Sequence, residues 1–229
     1  MEEVRLMGFF PVCLQLEKRR CVVVGGGEVA WRKVEGLLAC GAAVKVISPQ
    51  LQENLARYRE AEEIDWLARE YREGDLAGAF LVIAATDDQE VQARVHAEAE
   101  QGNLLLNVAD VPKWCNLILP AVVRRGEMTI AISTGGASPA LAGKLRRQLE
   151  GSFGREYEIL LRLLAALRPL VLARGGDHRE NKRLFKALVA PDLAAWIREE
   201  RWDLLKEHVH NTLGGDEVLA CVNELQRGY

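Results

Sequence analysis

Residues 21–30, CVVVGGGEVA, constrain this chain more than any other stretch. Cys21, Val22, Val23 and Val24 are apolar on both faces, as suits a strand buried within a parallel sheet. They run directly into three glycines. From Glu28, apolar residues recur at helical spacing (Val29, Val34, Leu37, Leu38), and Gly41 is a natural helix stop. A strand, a glycine turn and a helix are therefore predicted in immediate succession. In that setting Gly25-Gly26-Gly27-Glu28-Val29-Ala30 fits the pattern G-x-G-x-x-A, in which the first glycine makes the tight turn. The second lets backbone approach a pyrophosphate, and the small Ala30 lets helix and sheet pack closely. The helix N-terminus adds free N–H groups and the positive end of its dipole, which favour phosphate.

The pattern continues with strands predicted at 43–48, 64–67, 79–86 and 104–108, and with helices at 51–59 and 89–101. An earlier strand is read at 9–16. Strands alternating with helices predict a parallel, doubly wound sheet. Beyond Asp110 the pattern changes. NLILPAVVRRGEMTIAIS reads as a hairpin around Arg125-Gly126, and its open edges make it a natural dimerisation element. Ser138 then caps a helix with Pro139 at its first position, and further helices are predicted at 155–172, 177–189, 193–208 and 216–226. The fold class expected is α/β: an N-terminal Rossmann-like parallel sheet (1–112), a β-hairpin/helix dimerisation region (113–150) and a C-terminal helical domain (151–229).

Charge and cysteine content exclude several functions. Thirty Lys and Arg against thirty-three Asp and Glu give a net charge of −3. No nucleic-acid or membrane partner is expected, since both normally require a basic excess. The five cysteines are scattered without a CxxC pair, and His208 and His210 are two apart, so neither a disulfide framework nor a metal site is expected. His208 and His210 are read as surface residues. Glu2 and Glu3, and Pro11 within the apolar stretch that begins at Leu6, argue against a secretion signal, and a cytoplasmic location is expected.

Several further groups are candidates for chemistry. The acidic residue that usually follows the glycine turn by about 20 positions and binds ribose is replaced here by Ser48, Pro49 and Gln50, which leaves NAD and NADP undistinguished. Thr86, Asp87 and Asp88 end the fourth parallel strand, where they either contact a cofactor or cap the next helix. Asn107-Val108-Ala109-Asp110-Val111-Pro112-Lys113 puts a carboxylate just past the fifth strand, where it serves as a proton acceptor or as an ordinary turn residue. Ser133, Thr134 and Gly135 lead into a helix N-terminus that offers hydroxyls and N–H groups to an anion, although a plain capped turn has the same composition. Arg124, Arg125, Lys144, Arg146 and Arg147 are either a receiver for a polycarboxylate or solvated surface charge.

Taken together, FPVCLQLEKRRCVVVGGGEVAWRKVEGLLACGA, FLVIAATDD and NVADVPKWCNLILPAVVRRGEMTIAISTGGASPALA resemble the precorrin-2 dehydrogenase family, which includes the dehydrogenase and ferrochelatase module of siroheme synthase. The resemblance covers residues 9–170. It implies a homodimer that oxidises precorrin-2 to sirohydrochlorin with NAD and, in many members, inserts ferrous iron as a second substrate. The family's aspartate falls on Asp110. Its nucleotide contacts fall on the glycine loop with Glu28 and Val29, and on the turn at Pro49 and Gln50. Because the tetrapyrrole carries eight carboxylates, Asn107, Lys113, Arg124, Ser133, Thr134, Gly135 and Lys144 are the substrate-site candidates. A reading of a different class is an NAD(H)-binding redox-sensing dimer without catalysis.

Overall fold

The computed structural model describes residues 8–228; Glu2, Glu3 and Leu6, invoked above against a secretion signal, lie outside them. The chain divides into two compact units, one running to Leu119 with Gly135–Ala137, the other comprising Pro120–Thr134 and the residues from Ser138 onward.

The first unit is built on five parallel strands, β1 (Arg20–Val24), β2 (Ala43–Ile47), β3 (Ile64–Leu67), β4 (Leu81–Ala84) and β5 (Leu105–Val108), in the order β3-β2-β1-β4-β5. Helices α1 (Glu28–Leu38), α2 (Glu53–Glu60) and α3 (Gln89–Gln101) make three of the crossovers. The strand order reverses between β1 and β4, which opens a crevice at the carboxyl ends of those strands. Burial explains the apolar run of β1. Cys21 and Val23 point into a core with Ala30, Val34 and Leu37 of α1 and Leu55 of α2. Val22 and Val24 point the other way, toward Val95 and Ala99 of α3. A strand covered on both faces has no polar positions to spare.

The link from β3 to β4 contains no helix. Residues 68–80 are held instead by buried Tyr71 and Leu76 and by Arg69, whose guanidinium donates to both oxygens of Asp75 at 2.7 Å.

Residues 9–16 are not a strand, contrary to the sequence expectation. Pro11 has no N–H to give a ladder. Phe10 is 86% and Val12 57% exposed, so the segment has no continuous face to bury; Leu16 enters the core and Leu14 packs against it.

The second unit carries the hairpin of β6 (Ala121–Arg125) and β7 (Met128–Ile132), antiparallel with Arg125 opposite Met128. Gly126, at a φ of +54°, makes the turn, and a Cβ there would stand 2.7 Å from the Glu158 side chain. Helices α4 (Pro139–Ser152), α5 (Glu156–Leu172), α6 (His178–Leu188), α7 (Leu193–Arg198), α8 (Trp202–Leu213) and α9 (Asp216–Arg227) follow. As expected, Ser138 caps α4, its hydroxyl accepting from the Leu141 N–H at 3.2 Å. Leu163 and Leu167 of α5 centre a core shared with Leu188, Ile197, Leu205 and Val222.

The single helix expected over 193–208 is two, α7 and α8. Glu200 adopts a left-handed conformation (φ +56°) between them. Ile197 and Trp202, five residues apart, would diverge by about 140° on one continuous helix; the break lets both enter the core. The reading of His208 as a surface residue is likewise corrected. Its half-buried ring meets the Leu188 carbonyl at 3.0 Å and stands edge-on to Trp196. Among the described residues no helix is long and apolar enough to cross a membrane.

Candidate nucleotide cleft

A cleft of about 780 Å³ lies at the carboxyl ends of the first unit's strands, within the size range of small-molecule sites. Gly25, Gly26, Gly27, Glu28, Val29, Ser48, Pro49, Gln50, Thr86, Asp87 and Asp110 all line it. Residues drawn from four separate loops thus meet in one place.

The three glycines serve different purposes. Gly25 lies at a φ of +125°, and a Cβ there would run into the Ala85 carbonyl group after β4. A Cβ on Gly26 would run into the Gln50 carbonyl oxygen and stand 2.6 Å from the Ser48 hydroxyl. Both glycines therefore let the turn pack against neighbouring strand ends. A Cβ on Gly27 would meet nothing within 4 Å, and Gly27 is the N-cap of α1, where no side chain caps the helix. Open space before an uncapped helix N-terminus fits a phosphate group. These residues fit a dinucleotide.

On the β2 side, Ser48 is buried and its hydroxyl donates to the Gln50 carbonyl at 2.7 Å, while the Trp66 indole N–H donates to the Ser48 carbonyl at 3.0 Å. Ser48 shapes the turn and leaves Pro49 and Gln50 exposed at the rim. After β4, the Asp88 carboxylate caps α3 by accepting from the N–H groups of Glu90 and Val91 at 2.9 and 3.1 Å, and it borders the same cleft.

Asp110 is exposed and left-handed, with a φ of +60°, a conformation that Asp tolerates better than most residues. The preceding Ala109 N–H is fixed to the Ala84 carbonyl at 2.8 Å, so the turn begins from a tethered backbone. Lys33 of α1 lies within the electrostatic reach of Asp110. Burial lowers the pKa of its ammonium, Arg32 adds to that, and the Asp110 charge opposes both.

Two residues of this region escape motif reasoning. Gln92 is only 5% exposed; its amide donates to the Thr86 carbonyl at 2.6 Å and approaches the Ala109 carbonyl at 3.4 Å. It ties the loop after β4 to the one after β5. Its signal in the sequence is a polar side chain on the apolar face of α3 that also carries Val95 and Ala99. Tyr71 lines the cleft from the 68–80 link and donates its hydroxyl to the Glu98 carboxylate. Burial and that carboxylate push its phenol far above the usual range.

The remaining candidates do not line this cleft. The Asn107 amide donates to the Leu117 carbonyl at 3.0 Å, and Lys113 lies over the Trp114 ring. Arg124 and Lys144 are exposed on β6 and α4, and Ser133 follows β7. The Thr134 hydroxyl accepts from the Ser138 N–H, and Gly135 is left-handed at +61°. Of the other cations, Arg125 is engaged by the Phe153 and Glu150 carbonyls, and Arg146 by Glu150.

Comparison with known proteins accords with this geometry. Residues 12–121 match the family described as "Putative NAD(P)-binding", and residues 125–152 the one described as "Sirohaem biosynthesis protein central". Siroheme synthase 1 of Aeromonas salmonicida (strain A449) is 38% identical over 186 residues, covering 81% of this chain and 40% of that protein. The siroheme synthase of Methylobacillus flagellatus is 42% identical over 176 residues, covering 77% of this chain and 38% of that protein. The chain thus spans about 40% of the length of the curated relatives it matches. A solved structure titled SirC, precorrin-2 dehydrogenase, shares the fold with a TM-score of 0.69 over 96% of this chain and 100% of that one, at 24% identity. An NAD(P)-binding region at 12–121 followed by a sirohaem-biosynthesis central region at 125–152 is thus what this chain shares with known families, and its likeness to siroheme synthases extends over about four fifths of its length.

Proposed function

We propose that this chain oxidises precorrin-2 to sirohydrochlorin with NAD, as a homodimer in the cytoplasm, and that Asp110 is its catalytic carboxylate. The observation that carries the reading is the cleft itself, where an open glycine turn and an exposed aspartate share one wall of strand ends. Gly27 and the N-terminus of α1 hold the pyrophosphate, Pro49 and Gln50 the adenosine half, and Thr86 and Asp87 the other half. NAD, when bound, supplies the hydride acceptor. Asp110 stands two strands from the glycine turn, about 10 Å at the usual strand spacing. It takes the proton that leaves the ring as conjugation extends, so the two electrons leave as hydride and the charge balances. Arg124, Lys144 and Lys113 hold substrate carboxylates, with Asn107, Ser133, Thr134 and Gly135 as the polar contacts. Among the described residues the β6–β7 sheet has two strands only, and a sheet so narrow supports pairing with a second copy along its edges.

The same carboxylate is proposed to accept pyrrole protons during insertion of ferrous iron as a substrate. Turnover of precorrin-2 with NAD, followed by absorbance, tests the first activity, and metal uptake by sirohydrochlorin with iron or cobalt tests the second. Asp110→Ala should slow oxidation by about 100-fold or more while NADH still binds. Normal rates in a folded Asp110→Ala variant would remove Asp110 from both steps. Tight NADH binding without any turnover in the wild type would favour the redox sensor instead.

A further inference from the structure

The second unit holds a cavity of about 980 Å³ for which the nucleotide reading has no use. It runs between α5 and α6, with Gly126 and Glu127 of the hairpin turn at its border. Leu161, Ala165, Arg168 and Leu172 recur along α5 at steps of three and four, so a single helix face forms one wall. His178, Lys182, Phe185 and Val189 do the same on the other side. Leu172 and Val189 are 49% and 52% exposed, an apolar surface that α5 and α6 leave uncovered.

Charge narrows what can occupy it. Arg162 and Arg168 stand on one wall and Lys182 and Lys186 on the other, and none of the four has an ion-pair partner among the described residues. The Arg168 guanidinium lies over the Phe185 ring, 5.4 Å from its centre, so a cation is already stacked on the aromatic floor. The bordering carboxylates are Glu127 and Glu158, both toward the hairpin. An occupant must therefore have an apolar body and negative charge on both of its edges. An acyl chain with one anionic head meets only one wall. A flat ring system with carboxylates around its rim meets both, and Arg pairs with each by charge-assisted hydrogen bonds.

We propose that the cavity between α5 and α6 binds a flat, conjugated, polycarboxylated macrocycle, as a second site of the substrate's chemical class apart from the nucleotide cleft. The link to the substrate rests on the function proposed above; the site itself does not.

Fluorescence titration of the full chain with uroporphyrin, a porphyrin with eight carboxylates, tests it. Wild type is expected to bind one equivalent that the double variant Arg162→Glu, Lys182→Glu loses or binds at least tenfold more weakly. Phe185→Ala should weaken the same phase about fivefold, and Arg162→Lys with Lys182→Arg should retain it. A denaturant-unfolding curve by circular dichroism like that of the wild type shows that the second unit is folded in each variant. Uroporphyrin binding that is unaltered in the charge-reversed variant overturns the site. So does a fall in binding that tracks a loss of self-association in sedimentation, because a second copy of the chain then covers the groove. A wild type that binds uroporphyrin here yet never oxidises precorrin-2 supports the site while overturning the proposed activity.

Discussion

The two cavities of this protein are of similar size, about 780 and 980 Å³, but different parts of the chain shape them. The cleft of the first unit is a backbone construction. Its wall is the row of strand ends at the β1/β4 reversal, and its depth depends on two glycines that lie against the carbonyl groups of Ala85 and Gln50. The groove of the second unit is a side-chain construction, made of two helix faces whose residues are large, basic or aromatic. A backbone-built site tolerates almost no change of residue at its close approaches and nearly any change elsewhere. A side-chain-built site behaves in the opposite way, since each residue contributes separately and a helix face accepts many sequences.

Substitution at Gly26 should break this contrast most sharply if it is wrong. Gly26→Ala drives a methyl group into the Gln50 carbonyl, so either the glycine turn or the turn after β2 must move. We expect NADH affinity to fall by more than 100-fold and the first unit to lose about 4 kcal/mol, in the range reserved for gross steric conflict. Binding and a melting curve near wild type would show that the turn is pliable.

Leu163 is the corresponding test for the second unit. It is fully buried at the centre of the helical core, and Leu163→Ala should cost about 3 kcal/mol, as such truncations do. Denaturant unfolding monitored by circular dichroism provides the measure. NADH binding should persist in the folded fraction, because no part of the cleft comes from this unit.

A smaller effect is expected from acid. Glu156 is buried at the start of α5, and burial alone would push its carboxyl upward. The Arg198 guanidinium at 2.7 Å and the Gly154 N–H outweigh that and hold it below its ordinary value of 4.5. A carboxyl depressed in the folded state stabilises fully above its unfolded value, and that contribution vanishes as pH falls through the folded one. Melting temperature should therefore decline below about pH 4.5, a decline that Glu156→Gln makes shallower while removing about 1.5 kcal/mol at neutral pH. An unchanged acid profile in Glu156→Gln would assign the decline elsewhere. Asp75, depressed by its hydrogen bonds from Arg69, is the first unit's counterpart.

The same contrast explains what the sequence discloses. Gly25, Gly26 and Gly27 are legible because a backbone requirement selects one residue type at fixed spacing, and Asp110 because it stands just past a strand in a Pro-containing turn. Five strands and the hairpin follow from apolar periodicity. Residues 9–16 have strand-like composition but no partner, and pairing is a tertiary matter. The break between α7 and α8 carries no glycine or proline and arises from two side chains that must enter one core. Gln92 shows as a polar anomaly on an apolar face, but its two carbonyl partners come from loops on other strands and have no local mark. Of the α5–α6 groove the sequence discloses only the two helices, since amphipathic spacing does not say which faces remain uncovered.

The central claim is that a dinucleotide lies against the turn at Gly27, and calorimetric titration with NADH of the wild type and Gly27→Ala tests it most directly. Open space around Gly27 means that the added methyl leaves the fold untouched. One NADH per wild-type chain is expected, with at least 50-fold weaker binding in Gly27→Ala and an unchanged melting temperature. No heat of binding in the wild type, or equal affinity in the two proteins, would contradict it.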